Sequence, residues 1–342
     1  MSRKDPNLLI QSAPMLRQGM TTPSAMRDVW LALLPATLAG IWFFGIGALL
    51  VLAASMAGAL LTEWAFTSKE KRRDAMADNS ALLTGLILGL TLPPGLPMWM
   101  AFIGGSAAIG IGKVIWGGLG NNMFNPALVG RAFLLATFPI AMTTWAGADT
   151  PFWSISPSVL SLPFVTPTYD AVSAATPLGL MKFEQVETAL MPLLIGNTGG
   201  CIGETSGLLL ILGGIFLLIR RDFDWRIPAG IFLAAGIFSL ALFLVDGDKY
   251  PGPIFTLLSG GLLIGAIYMA TDPVTSPLTP KGAWIFGLGI GLLVVLIRVF
   301  GGFPEGVMYA ILLMNAATPL IDRYTQPRIF GRDEGGRKEG AS

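Results

Sequence analysis

An all-α fold, a membrane-embedded bundle of about ten helices in two inverted five-helix repeats, is what this sequence predicts. Three observations carry that expectation. Of the 342 residues 53% are hydrophobic and only 13% charged, with mean hydropathy +0.66, too few charges to clothe a water-soluble core of this size. The apolar residues fall in long, non-alternating blocks, which suit helices and exclude a barrel, the only other way to satisfy backbone groups in lipid. Blocks in the two halves of the chain also match at one fixed offset.

Met1 to Asp28 is polar, contains Pro6, Pro14 and Pro23, and lacks a compact apolar core before a small-residue cleavage site. It reads as a cytoplasmic N-terminal segment and not as a secretory signal peptide. Residues 29–142 read as the first repeat. Within it Val29–Phe66 is too long for one crossing and holds Gly45 and Gly47 near its middle, so two helices joined by a tight turn are expected. Ala81–Leu92, Met98–Ile115 and Pro126–Met142 follow. Residues 143–205 read as an external loop, rich in Ser, Thr and Pro and too long for an idle connector. The second repeat, residues 206–322, contains Gly207–Ile219, Ile227–Val245, Ile254–Ala270, Ala283–Val299 and Gly306–Ile321, and residues 323–342 form a charged cytoplasmic tail.

Positive charge beside spans marks the cytoplasmic side. Lys69, Lys71, Arg72 and Arg73 follow the second helix and Arg220, Arg221 and Arg226 the sixth, which places both termini inside and the 143–205 segment outside. Trp99, Trp145 and Trp153 near outer ends and Trp64, Trp116 and Trp225 near inner ends read as interfacial anchors.

Leu82-Leu83-Thr84-Gly85-Leu86-Ile87-Leu88-Gly89-Leu90-Thr91-Leu92-Pro93 matches Leu262-Leu263-Ile264-Gly265-Ala266-Ile267-Tyr268-Met269-Ala270-Thr271-Asp272-Pro273 at an offset of 262 − 82 = 180. The same offset pairs Pro97 with Pro277, Ala136 with Ala316 and Pro139 with Pro319. Each copy holds a short segment stopped by a Thr-x-Pro break, the sequence pointer to a midplane site in inverted-repeat transporters. Helix-end dipoles and freed carbonyls there can strip water from a small cation. The ion-path candidates are therefore Thr91, Thr271 and Asp272 at the breaks, with Glu204 and Glu63 near helix ends, since acidic groups at membrane depth are costly. Glu63, with Asp78, is expected to face water near the basic loop, where a structural role and a transport role both stand.

The chain has no histidine, which removes imidazole bases, bis-histidine haem and most zinc chemistry. Cys201 is the only cysteine, so an internal disulfide and a cysteine-ligated cluster are excluded, and it reads as a small buried filler. The net charge of +1 gives no case for nucleic acid. No protein metal site or catalytic residue is predicted.

One polar run reads as chemistry: Asp170-Ala171-Val172-Ser173-Ala174-Ala175-Thr176-Pro177-Leu178. It resembles the signature at which a flavin transferase attaches FMN to a threonine hydroxyl through a phosphodiester, with Thr176 as anchor and Asp170, Ser173 and Ala175 as motif residues. Ala174 stands where that pattern commonly has glycine. A second run, Gly117-Gly118-Leu119-Gly120-Asn121-Asn122-Met123-Phe124-Asn125-Pro126-Ala127, suits close approach of backbone to a planar ring or phosphate, with Asn121, Asn122 and Asn125 able to bind polar edges and Arg131 able to pair with a phosphate or carboxylate. A plain helix-connecting turn is its equal alternative.

These runs, with Asp78-Asn79-Ser80-Ala81-Leu82-Leu83-Thr84-Gly85, Gly203-Glu204-Thr205-Ser206, Ala270-Thr271-Asp272-Pro273-Val274-Thr275-Ser276-Pro277 and Pro304-Glu305-Gly306, give the chain its resemblance. Over nearly its whole length it resembles the family holding the D component of the Rnf ion-translocating ferredoxin:NAD oxidoreductase and the B component of the sodium-pumping NADH:quinone reductase. The resemblance implies a multi-pass subunit of a bacterial inner-membrane complex, inactive alone, that couples flavin-mediated electron transfer between ferredoxin and NAD to movement of Na+ or H+. It implies covalent FMN on Thr176 on the periplasmic side and a second, non-covalent flavin such as riboflavin. The implied partners are the A, B, C, E and G components of the Rnf complex, the flavin transferase and membrane lipid. The competing expectation is a solute channel or secondary transporter with inverted repeats and no redox cofactor.

Overall fold

The computed structural model describes residues 21–326 apart from 71, 146, 148–151, 154, 164–174, 205 and 248. Asp170 and Ser173 of the threonine run lie outside the described residues. Every regular element among the described residues is helical. Three helices are long and apolar enough to cross a membrane, Thr22–Phe66, Arg226–Val245 and Pro280–Phe300, and shorter apolar helices pack around them. The architecture is that of a multi-pass membrane protein.

Helix α1 (Thr22–Phe66) begins at Thr21, whose backbone amide and carbonyl are both satisfied by the Ser24 hydroxyl, with Pro23 in the first turn. Gly45 interrupts it at φ +73°. That left-handed backbone favours glycine, and a Cβ there would sit 2.7 Å from the Phe152 carbonyl oxygen, which instead accepts from the Ile46 amide. Ala25, Met26 and Val29 of the first arm line the same cavity as Lys113, and Lys113 pairs with Glu63 near the end of the second arm. Both ends of α1 therefore meet at one end of the bundle, as the expected two-helix hairpin requires.

The first half continues with α2 (Arg72–Ala77), α3 (Ser80–Leu90), α4 (Met98–Ile109) prolonged by a π turn (Gly110–Val114), α5 (Pro126–Thr137) and α6 (Pro139–Thr143). Next come α7 (Pro177–Gly179), which runs into a π turn (Leu180–Glu184), α8 (Leu190–Ile195) and a 3-10 turn (Ile202–Glu204). The second half holds α9 (Gly207–Arg220), α10 (Arg226–Val245), α11 (Pro253–Leu258), α12 (Leu262–Ile264) with its π turn (Gly265–Met269), α13 (Pro280–Phe300) and α14 (Val307–Thr325).

Small residues set how closely these helices approach. A Cβ at Gly58, Gly85 or Gly105 would strike backbone of the neighbouring helix across the seams that the second arm of α1 makes with α3 and α4. Gly287 and Gly291 do the same between α10 and α13, where Gly230 is also tightly approached. Lipid offers no hydrophobic drive to pair helices, so close packing of small residues supplies it. Helix α4 packs on α5, and α13 on α14.

Two expected spans are broken. Ile254–Ala270 splits at Ser259–Gly261, where Gly260 turns at φ +62°. The Thr256 and Ser259 carbonyls near the break accept from Arg298 at 2.7 and 2.9 Å, and that buried guanidinium comes from α13, out of sight of any local pattern. Pro126–Met142 stops at Phe138, because Pro139 has no amide to continue the ladder and starts α6 instead.

Candidate functional site

Thr176 precedes Pro177 at the start of α7, and its hydroxyl oxygen accepts the Gly179 amide at 3.1 Å, holding the side chain as a helix cap. The residue is buried, yet it lines a cleft of about 600 Å³ together with Arg131, Trp145, Ala175, Phe183 and Glu305. Cofactor pockets span roughly 300–1,000 Å³. Aromatic side chains for a planar ring, a guanidinium for a phosphate and an esterifiable hydroxyl on one wall fit an FMN-sized group. Lys182, in the π turn that follows α7, donates to the carbonyls of Arg298 (2.9 Å), Gly301 and Phe303 (3.1 Å), tying this segment to the end of α13. Burial holds its ammonium below the usual lysine range.

Behind the threonine lies a charged cluster drawn from three parts of the chain. Arg131 of α5 pairs with Glu305 and donates to the Cys201 sulfur at 3.6 Å. Glu204 shares a second small cavity with Thr176 and Glu305, and the Cys201 sulfur and the two carboxylates lie within 4.8 Å of one another. The 3-10 turn brings Cys201 and Glu204 inward: the Ile202 amide donates to the Leu92 carbonyl at 3.1 Å, and Gly203 packs on Leu90. Arg131 and Glu305 also line a narrow cavity with Thr91, whose hydroxyl donates to the Leu88 carbonyl at 2.7 Å where α3 stops. The expected residues Thr176, Ala175, Arg131, Glu204 and Thr91 thus share one neighbourhood.

The remaining candidates gather at the opposite end of the bundle. A cavity of about 100 Å³ is lined by Lys113, Asn122, Asn125, Asp222, Thr271 and Asp272 among others. Asn125 caps α5 by accepting the Ala127 and Leu128 amides, and its amide group donates to the Met269 carbonyl at 3.0 Å. Asn121 is exposed, and Asn122 rather than Asn121 faces the cavity. Thr271 donates to the Ile267 carbonyl at 2.6 Å, while Asp272 accepts the Val274 amide at 3.2 Å and the Thr275 hydroxyl at 3.4 Å. Burial, reinforced by the charge of Asp28, holds the Asp222 carboxyl above the usual carboxylate range, with Arg220 pulling the other way.

Glu63 does not face water as expected. It is buried and paired with Lys113, which also donates to the Ser80 hydroxyl at 2.6 Å. A cation fifty residues further along the chain makes that burial tolerable. Lys113 and Arg298 are the functional-type residues that sequence reasoning passed over. The available signal was a lone cation inside an otherwise apolar block.

A sequence profile described as the NQR2, RnfD, RnfE family matches residues 9–331. Among individual relatives, three are D components of ion-translocating oxidoreductase complexes. With that of the proton-translocating ferredoxin:NAD(+) oxidoreductase complex of Clostridium ljungdahlii the chain is 43% identical, over 94% of this chain and 96% of that protein. With that of the ion-translocating oxidoreductase complex of Stutzerimonas stutzeri it is 43% identical, over 91% and 93%. With that of the Na(+)-translocating ferredoxin:NAD(+) oxidoreductase complex of Acetobacterium woodii it is 41% identical, over 95% and 96%.

Proposed function

Because the chain belongs to the NQR2, RnfD, RnfE family, we propose that it is the membrane subunit of a complex coupling electron transfer between ferredoxin and NAD to Na+ or H+ translocation. It works only in that assembly, with components of types A, B, C, E and G, in a bacterial inner membrane. Thr176 carries FMN through a phosphodiester made by a flavin transferase, and when bound the flavin supplies the electron-transfer chemistry. The observation that carries this reading is the placement of Thr176 on the wall of the roughly 600 Å³ cleft that Arg131 also lines. The ester oxygen retains the lone pairs that accept the Gly179 amide, so modification need not undo the cap. Arg131 pairs with the phosphate or with Glu305, and Phe183 and Phe303 exclude water from the ring.

The ion path runs between two inverted repeats. Supporting this, the element starts recur at the 180-residue offset: Ile46, after the Gly45 break, against Arg226, and Pro126 against Gly306, with α14 beginning at Val307. The α1–α4 and α4–α5 seams have counterparts in α10–α13 and α13–α14. Both Thr-x-Pro positions fall where short helices stop, at Thr91 and Thr271. With basic loops on the cytoplasmic side, the Thr176 cleft faces the periplasm and the cavity of Asn125 and Asp272 faces the cytoplasm. That cavity, with the amides of Asn122 and Asn125, is where a second, non-covalent flavin such as riboflavin would be held.

Intact mass and in-gel fluorescence of the denatured chain, co-expressed with its flavin transferase, test the tether. An FMN-sized mass increase and fluorescence are expected for the wild type and neither for Thr176→Ala. An unmodified wild-type chain would overturn the reading in favour of a transporter without a cofactor.

A further inference from the structure

Glu63, on the second arm of α1, and Lys113, on the π turn of α4, are both buried and paired. Their geometry differs from that of a structural ion pair in three ways. Only one carboxylate oxygen is used: Oε2 of Glu63 is buried without a partner among the described residues, whereas a buried carboxylate serving only to hold two helices would have both oxygens satisfied. Lys113 and its partner Ser80 line the roughly 100 Å³ cavity that Thr271 and Asp272 share, and Glu63 does not, so the lysine stands between the cavity and a carboxylate that the cavity does not reach. The lysine also sits where α4 leaves regular helical register, in a five-residue π turn between Gly110 and Val114.

A second resting place for the ammonium is already at hand. Lys113 donates to the Ser80 hydroxyl at 2.6 Å, and that hydroxyl donates to Asp78 Oδ1 at 2.6 Å. Resting on the reading that this chain moves Na+ or H+ and that Glu63 lies on the path, we propose that Lys113 is an internal counter-ion that exchanges with the transported monovalent cation on Glu63. In the absence of the cation the ammonium occupies the carboxylate; when the cation enters from the cavity, Lys113 withdraws towards Ser80 and Asp78. Two carboxylates, one ammonium and one cation then sum to zero charge in a poorly solvated place, which favours occupancy. Return of the lysine expels the ion, so binding and release become two states of one bistable arrangement. The cation is sodium or a proton, and for a proton the groups acting on Glu63 are Lys113 and Asp78.

The test uses the assembled complex in vesicles, with ferredoxin-to-NAD electron transfer titrated by sodium at fixed pH and, separately, by pH in sodium-free buffer, while ion uptake is recorded. In Lys113→Gln the competitor is gone: the half-saturating concentration of whichever ion drives the wild type should fall about tenfold, within the span of ordinary coupling factors, while ions moved per electron decrease. Lys113→Arg should restore the wild-type half-saturation. Ser80→Ala, which keeps every charge but removes a partner of the withdrawn ammonium, should instead raise half-saturation, by a smaller factor, and serves if Lys113→Gln does not assemble. An assembled Lys113→Gln or Ser80→Ala complex with unchanged half-saturation overturns the exchange, even if its total activity is lower. Glu63→Gln separates the underlying reading: full ion uptake in that variant removes Glu63 from the path, whereas lost uptake with unshifted Lys113 variants removes only the lysine exchange.

Discussion

At the scale of single residues the Thr176 cleft is held by two cations that do different work. Arg131 pairs with Glu305 in a half-buried setting, its side chain 11% and that of Glu305 21% exposed. Fully buried pairs lose roughly 3–5 kcal/mol when one partner is removed, and residual solvent lowers that to about 2–3 kcal/mol for Arg131→Gln. The thermal midpoint of the detergent-solubilised protein should fall accordingly, and Arg131→Gln with Glu305→Gln should recover part of the loss. Lys182 satisfies three carbonyls at once, so Lys182→Met leaves all three unpaired beside Thr176. If Thr176 carries FMN as proposed, the expected signature is weakened incorporation per chain, read by fluorescence, with chain yield largely kept. The sequence singled out Thr176 through a resemblance and Arg131 as a candidate cation; the partnership of Arg131 with Glu305 was not legible, because 174 residues separate them.

At the scale of elements, glycine positions separate packing from conformation. Gly105 has a helical backbone, and a Cβ there would strike the Ser55 carbonyl across the α1–α4 seam. Gly118 has φ +104° and nothing within 4 Å of a Cβ. Gly105→Ala should therefore abolish accumulation of folded protein, whereas Gly118→Ala should cost only about 1–2 kcal/mol of backbone strain, as thermal unfolding in detergent would report. The Gly45 reversal was legible because a left-handed turn in a long apolar block announces itself through glycine. The break at Ser259–Gly261 was not, since the arginine that satisfies its carbonyls arrives from α13. The burial of Glu63 escaped for the same reason: its desolvation is offset by a lysine on another helix.

At the scale of the whole molecule, contacts between residues far apart in sequence join the two halves of the chain and its central segment. Among them are Asn125 to the Met269 carbonyl, Asp28 to Arg220, Arg131 to Glu305, and the Ile202 amide to the Leu92 carbonyl. Asn125 is the most open to test, since one side chain both caps α5 and bridges the halves. Asn125→Ala should cost about 2 kcal/mol, roughly one for the cap and one for the orphaned carbonyl. Asn125→Asp keeps the acceptor that caps α5 and loses the donor, so it should forfeit mainly the bridge. Chemical denaturation in mixed micelles would separate the two.

The chain's single cysteine lies at the meeting of those halves. Cys201 is fully buried beside Arg131, and this chain has no other thiol. The native protein thus carries its own chemical clock: a small membrane-permeant maleimide can mark Cys201 only when the seam parts, without a cysteine being engineered in or removed. Labelling of the resting complex should be slow, and an acceleration under turnover would time the opening directly.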